Sequence, residues 1–211
     1  GKLDYKLGLY NGRRHETAGV PAGGKTLNPD DMPRVAGRLA FNLFEAEEGF
    51  FYAGNYLGKK KIVTLGVGFD GQPDAVLDSQ GNNAMYAAFS GDLFVDYPIN
   101  DNMQLIAQTA FVYYDRGYAE SLDADGALQL AEDPGTGMGA FGELGFRYDK
   151  YQPVVSGEWF SPDAGNEYTN LRFGLNYWLK GHNANVKLEY GLLDATERAK
   201  SAITLQTQLL F

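Results

Sequence analysis

The side chains able to do chemistry in this chain stand one at a time among apolar neighbours. Lys6, Arg34, Arg38, Arg147, Arg172 and Lys187 are the cations placed this way, and Asp92, Asp96, Glu143, Glu158 and Glu189 the anions. Their signs nearly balance, which favours neither anions nor cations as a partner. Gathered on one water-facing surface, they form a lining whose fixed charges bias the ions that pass, as charged rings do in channels. The opposing reading is that they pair across neighbouring segments and plug a narrow interior.

Other candidates carry less. Asp123-Ala124-Asp125-Gly126 lies in the acidic stretch Tyr118–Pro134, with Glu120, Glu132 and Asp133 and no Lys or Arg. It lacks the later ligands and closing Glu of a Ca²⁺ loop, so it reads as a solvated loop. Lys59-Lys60-Lys61 flanks a strand. It reads as an anchor whose stems lie along apolar surface while the charges stay in water. His15, beside Arg13, Arg14 and Glu16, falls in a loop, whereas His182 falls in a tight turn at the opposite end. A hydrolase needs His within reach of a nucleophile or an orienting carboxylate. His15 with nearby loop acids is the one candidate for that, and the expectation is that the chain is not an enzyme. Gly66, Gly68, Gly139, Gly142 and Gly145 sit inside strands, where Gly relieves crowding, and no phosphate-cradling loop is present. No cofactor is expected.

Composition says which elements must position these groups. The 211 residues suit a single domain spanning 1–211, and 44% hydrophobic content argues against a disordered chain. A net charge of -9 argues against nucleic acid, whose phosphates need a basic surface. No stretch approaches the roughly 20 apolar residues of a spanning helix. Yet there are 14 Tyr, 13 Phe and 27 Gly, a bias toward strands and tight turns, and no Cys for disulfides or thiolate metal sites.

Strict alternation locates the strands. Ala184, Val186, Leu188, Tyr190 and Leu192 oppose Asn185, Lys187, Glu189 and Gly191. The same pattern runs through Asn170–Leu179, Ala202–Phe211, Met138–Tyr148 and Arg34–Leu43. It is weaker around Leu3–Asn11, Ile62–Asp70, Ala84–Tyr97, Met103–Tyr114 and Gln152–Phe160. About ten strands and no amphipathic helix follow. Turns at Pro98–Asp101, Asp149–Tyr151 and Lys180–Asn183 are short, while Gly71–Asn82, Arg116–Thr136, Ser161–Asn166 and Asp194–Lys200 are longer. The exception is the link around Glu45–Lys60, which the alternation of short and long requires to be short.

The predicted fold is therefore all-β: an antiparallel transmembrane β-barrel, an up-and-down meander with short periplasmic turns and long outer loops. Charges in mid-strand favour it over a water-soluble barrel, because about ten strands enclose too wide a space for Leu, Phe and Tyr to fill tidily. Strands near ten residues match the roughly 9–11 that cross a bilayer at a tilt. Aromatics are expected in two belts. Phe41, Phe44, Phe94, Tyr97, Phe146, Tyr148, Tyr177, Trp178 and Phe211 would form one at the short-turn end. Phe69, Tyr86, Phe89, Tyr113, Tyr114, Trp159, Phe160 and Tyr168 would form the other. An even strand number puts both termini in the periplasm.

The closing segment Ser201–Phe211, with Leu205, Leu209 and a terminal Phe211, resembles the sorting signal of bacterial outer-membrane proteins. That resemblance implies recognition by the barrel assembly machinery in a Gram-negative bacterium. Gly8-Leu9-Tyr10-Asn11-Gly12, Arg38-Leu39-Ala40-Phe41, Tyr56-Leu57-Gly58-Lys59-Lys60, Leu65-Gly66-Val67-Gly68, Asp92–Pro98 and Phe173–Leu179 together resemble the phosphate-selective porin O and P family. Its members have about sixteen strands, so the chain looks like the C-terminal ten strands of such a porin, or a smaller relative. The family's constriction loop and basic ladder are not carried over. The resemblance implies passive diffusion of small hydrophilic solutes or ions, including anions such as phosphate, across the bacterial outer membrane. Its implied partners are outer-membrane lipid and lipopolysaccharide, which divalent ions could bridge to the acidic loop, with a homotrimer among the assemblies it allows. The alternative is a filled barrel serving as anchor, adhesin or scaffold.

Overall fold

A computed structural model describes residues 2–15, 23–47, 54–195 and 200–210. Glu16, Phe211, part of the Glu45–Lys60 link and the centre of the Asp194–Lys200 connection lie outside the described residues. The described residues hold twelve strands and no helix: β1 (Leu3–Tyr10), β2 (Arg34–Asn42), β3 (Ile62–Leu77), β4 (Asn83–Asn100), β5 (Met103–Asp115), β6 (Tyr118–Leu122), β7 (Leu128–Glu132), β8 (Gly137–Tyr148), β9 (Tyr151–Pro162), β10 (Tyr168–Trp178), β11 (Ala184–Ala195) and β12 (Lys200–Leu209). Ten of them form the expected antiparallel meander, in the order β1-β2-β3-β4-β5-β8-β9-β10-β11-β12.

Two connections differ from expectation. Arg116–Thr136 holds the hairpin β6–β7, which stands off the meander and touches β3 through Leu77 and Tyr118. Its turn is built by Asp123, whose carboxylate accepts the amides of Asp125 (3.0 Å) and Ala127 (2.8 Å). Second, β3 runs on to Leu77, so the long connection expected over Gly71–Asn82 shrinks to residues 78–82. The register breaks between Gln72 and Val76. There Pro73 lacks an N–H for the ladder, and Asp74 takes a positive φ, in the left-handed region. Together they make a bulge that interrupts the alternation without ending the strand.

The pleat sorts the side chains. Leu171, Phe173 and Leu188 lie on one face and stay 44%, 51% and 49% exposed. Leu39, Phe41, Leu65, Val67, Phe69, Phe89, Phe111 and Leu144 share that exposed face. A chain folding in water buries such residues. On the outermost strands exposure rises to 76% at Tyr5 and 75% at Ile203, because among the described residues β1 bonds only to β2 and β12 only to β11. The meander is thus an open sheet with two edges. A small apolar core of Ile62, Phe94 and Ile106, with Tyr56 against it, lies on the opposite face near the short-turn end. Strands β3, β4 and β5 are the longest of the meander. Each exceeds the roughly 9–11 residues that cross a bilayer.

Candidate functional site

Following the register across the sheet shows where each predicted charge sits. Lys6 faces Arg38, Arg38 faces Gly68 and Gly66 faces Asp92, so Lys6, Arg34, Arg38 and Asp92 share one face of β1–β4. One row runs Gln104, Arg147, then Gln152, Asn176, Lys187 and Gln206. The next runs Asp96, Ile106, Gly145, Val154, Gly174, Glu189 and Thr204. A third joins Phe94, Gln108, Glu143, Ser156 and Arg172, and a fourth joins Asp92, Ala110, Phe141, Glu158 and Asn170. All eleven predicted lining residues therefore stand on the same face, opposite the exposed Leu and Phe.

Many of these charges are partnered across strands. Arg34 pairs with Asp70, which the sequence reading missed although it shares the parity of its neighbours. Arg38 Nη2 meets Asp92 Oδ1 at 2.5 Å. Arg172 lies 3.0 Å from Glu158 and 3.9 Å from Glu189. Each pair ties two strands without leaving a charge unneutralised.

Where the second row passes Val154 and Gly174, two adjacent strands carry little side-chain bulk and the face hollows. The resulting cavity measures about 540 Å³. Glu143, Arg172, Lys187, Glu189, Gln108, Gln152, Asn176, Ser156, Thr204, Gln206 and Gln208 line it, so six strands from β5 to β12 contribute to one space. Flat strands about 4.8 Å apart cannot converge in this way. The sheet curls, with its polar face inward.

The β2–β3 link, anomalous in length, explains itself here. Residues 54–58 fold onto the polar face instead of turning tightly. Leu57 and Gly58 both have positive φ, in the left-handed region. The Lys59 amide donates to the Tyr56 carbonyl at 3.1 Å, closing a tight turn around these two residues. Leu in that conformation is costly, and tertiary contacts compensate. The Tyr56 amide donates to Asp96 Oδ2 at 2.7 Å, Arg147 Nη2 to the Leu57 carbonyl at 3.1 Å, and His182 Nε2 to the Asn55 carbonyl at 2.8 Å. Gln104 bridges Asp96 and Arg147 behind them. Asp96 and Arg147, predicted as lining charges, are thus buried beneath the link at the short-turn end.

The aromatic belts need correction. Phe41, Phe69, Phe89, Tyr97, Tyr113, Phe146, Tyr148, Trp159 and Tyr177 lie on the apolar face. Phe94, Tyr86, Tyr114, Phe160, Tyr168 and Trp178 have the opposite parity and turn to the polar side. Trp178 is buried, donates Nε1 to Gln152 Oε1 at 2.8 Å and packs edge-on to His182. Ring type alone does not reveal which way a strand residue points.

The remaining candidates fall apart from this site. His15 lies at the long-connection end, its amide on Asp31, while His182 holds the link at the other end. Asp123 has both carboxylate oxygens engaged by its own turn and Gln129. Among the described residues no three His, Asp or Glu are grouped to hold a metal. The Lys61 ammonium lies 4.1 Å from the Phe44 ring and 4.5 Å from that of Tyr97, within cation–π range of both. Leu205 and Leu209 are exposed on the apolar face of β12, and Phe211 lies outside the described residues. Comparison of the chain with known families, with curated proteins and with solved structures finds no match.

Proposed function

We propose that the curled polar face lines a water-filled passage through a bacterial outer membrane, along which small hydrophilic solutes or ions diffuse passively. The observation that carries this reading is the division of the sheet. Eleven ionisable residues and a polar cavity share one face, while Leu, Phe and Val stand exposed on the other. A Lys or Arg on a lipid-facing strand costs roughly 2–4 kcal/mol at mid-bilayer, so only one way of facing hydrocarbon is tolerated. The residues supply a low barrier and a charge bias, with no bond made or broken. Segment 54–58 narrows the path at one end. The near-balance of charge favours neither ion sign, and transport of phosphate rests on the family resemblance.

A second reading, a filled barrel acting as anchor or scaffold, draws on the cross-strand ion pairs and on that same inward segment. Current across a planar lipid bilayer separates them. Discrete conductance steps from the folded chain support the passage; a silent bilayer with folded chain inserted supports the scaffold and ends the first proposal.

A further inference from the structure

The hollow over Val154 and Gly174 holds both matched and unmatched charges. Arg34, Arg38 and Arg172 each hold a carboxylate in an ion pair. Lys187 and Glu143 do not, among the described residues. The Lys187 ammonium lies 5.7 Å from the Trp178 ring, and Glu143 receives only the Gln108 amide, at 3.4 Å. Both line the same cavity. The hollow thus presents an ammonium and a carboxylate, neither of them in an ion pair among the described residues. Amides of Gln108, Gln152 and Asn176 line it as well.

We infer that this hollow is a binding site for small zwitterions of the α-amino acid type, whose carboxylate meets Lys187 and whose ammonium meets Glu143. Charge complementarity makes the choice. An inorganic anion drawn to Lys187 meets the repulsion of Glu143 and Glu189, and a cation drawn to Glu143 meets Lys187 and Arg172. A neutral sugar gains only the amides and leaves both charges unmatched. A dipolar solute satisfies both ends at once, and discrimination follows from repelling the single charges as much as from attracting the pair.

The site rests on reading the polar face as a solute path, and its test is chosen to fail separately. Trp178 touches the hollow, so a Trp159→Phe chain in detergent carries one reporter there. Titration with L-glutamine is expected to change its emission saturably, while glucose and sodium phosphate do not. Lys187→Gln and Glu143→Gln should each weaken the response about tenfold or more. The exchanged chain, Lys187→Glu with Glu143→Lys, should recover it with the solute reversed, which a merely misfolded variant would not. No saturable change with glutamine, or an equal one with phosphate, overturns the inference. A chain that binds glutamine but carries no current keeps the site and loses the passage; one that conducts without binding loses the site alone.

Discussion

Arg38 on β2 reaches over β3 to Asp92 on β4, and the residue it passes is Gly66. Nη2 lies 2.5 Å from Oδ1 and Nε 3.2 Å from Oδ2, a forked pair spanning two strand spacings. A Cβ at position 66 would collide with both the carboxylate and the guanidinium. Glycine there makes room for the bridge.

Gly66→Val should therefore break the pair while raising strand propensity. Both side chains are about a quarter exposed, at 28% and 24%. A double-mutant cycle of Arg38→Ala and Asp92→Ala in detergent is expected to give a coupling of about 1–2 kcal/mol, between exposed and buried pairs. In the Gly66→Val background that coupling should vanish; persistence would mean the bridge does not need the gap.

Leu188 and Glu189 are adjacent and face opposite ways. Leu188→Arg should lower stability in lipid by roughly 2–4 kcal/mol. Glu189→Arg should fold and shift reversal potential toward anions. Equal loss of folding in both, read from urea unfolding in vesicles, contradicts the assignment of faces.

Asp96 accepts the Tyr56 amide, so Asp96→Ala should loosen segment 54–58 and raise single-channel current. His182→Phe, which removes one hydrogen bond to Asn55, should have a smaller effect in the same direction. Unchanged current in both would show that the segment does not narrow the path.

Two turn carboxylates offer a pH test. The Ala127 and Asp125 amides hold Asp123 below the ordinary aspartate range, and the Asn82 and Gln80 amides do the same for Asp78. A depressed carboxylate lends stability that is complete above its unfolded value and lost as pH falls through its folded value. Carbon-13 titration should place both midpoints below those of peptides spanning the same turns. Coincident midpoints would mean the turns do not persist in solution.

The ten meander strands and their two faces were legible because a period of two is written directly into side-chain chemistry. Lys187 and Glu189 between Val186, Leu188 and Tyr190 leave no other register. What escaped was decided by tertiary contact. Strands β6 and β7 are the shortest among the described residues, too short for alternation to show. Pro73 and Asp74 masked the continuation of β3. Trp178 and Phe94 look like belt residues until pairing fixes their parity. The link around Glu45–Lys60 announced itself only as a length out of step, and its docking depends on Asp96, Arg147 and His182, distant in sequence.

The two bare flanks of the sheet set one more condition. Hydrocarbon supplies no hydrogen bonds, so a row of open amides along β1 or β12 would cost several kcal/mol for each group. In a bilayer each of those edges has to find a hydrogen-bonding partner. What β1 and β12 pair with decides how far the curl of the sheet continues around its polar face.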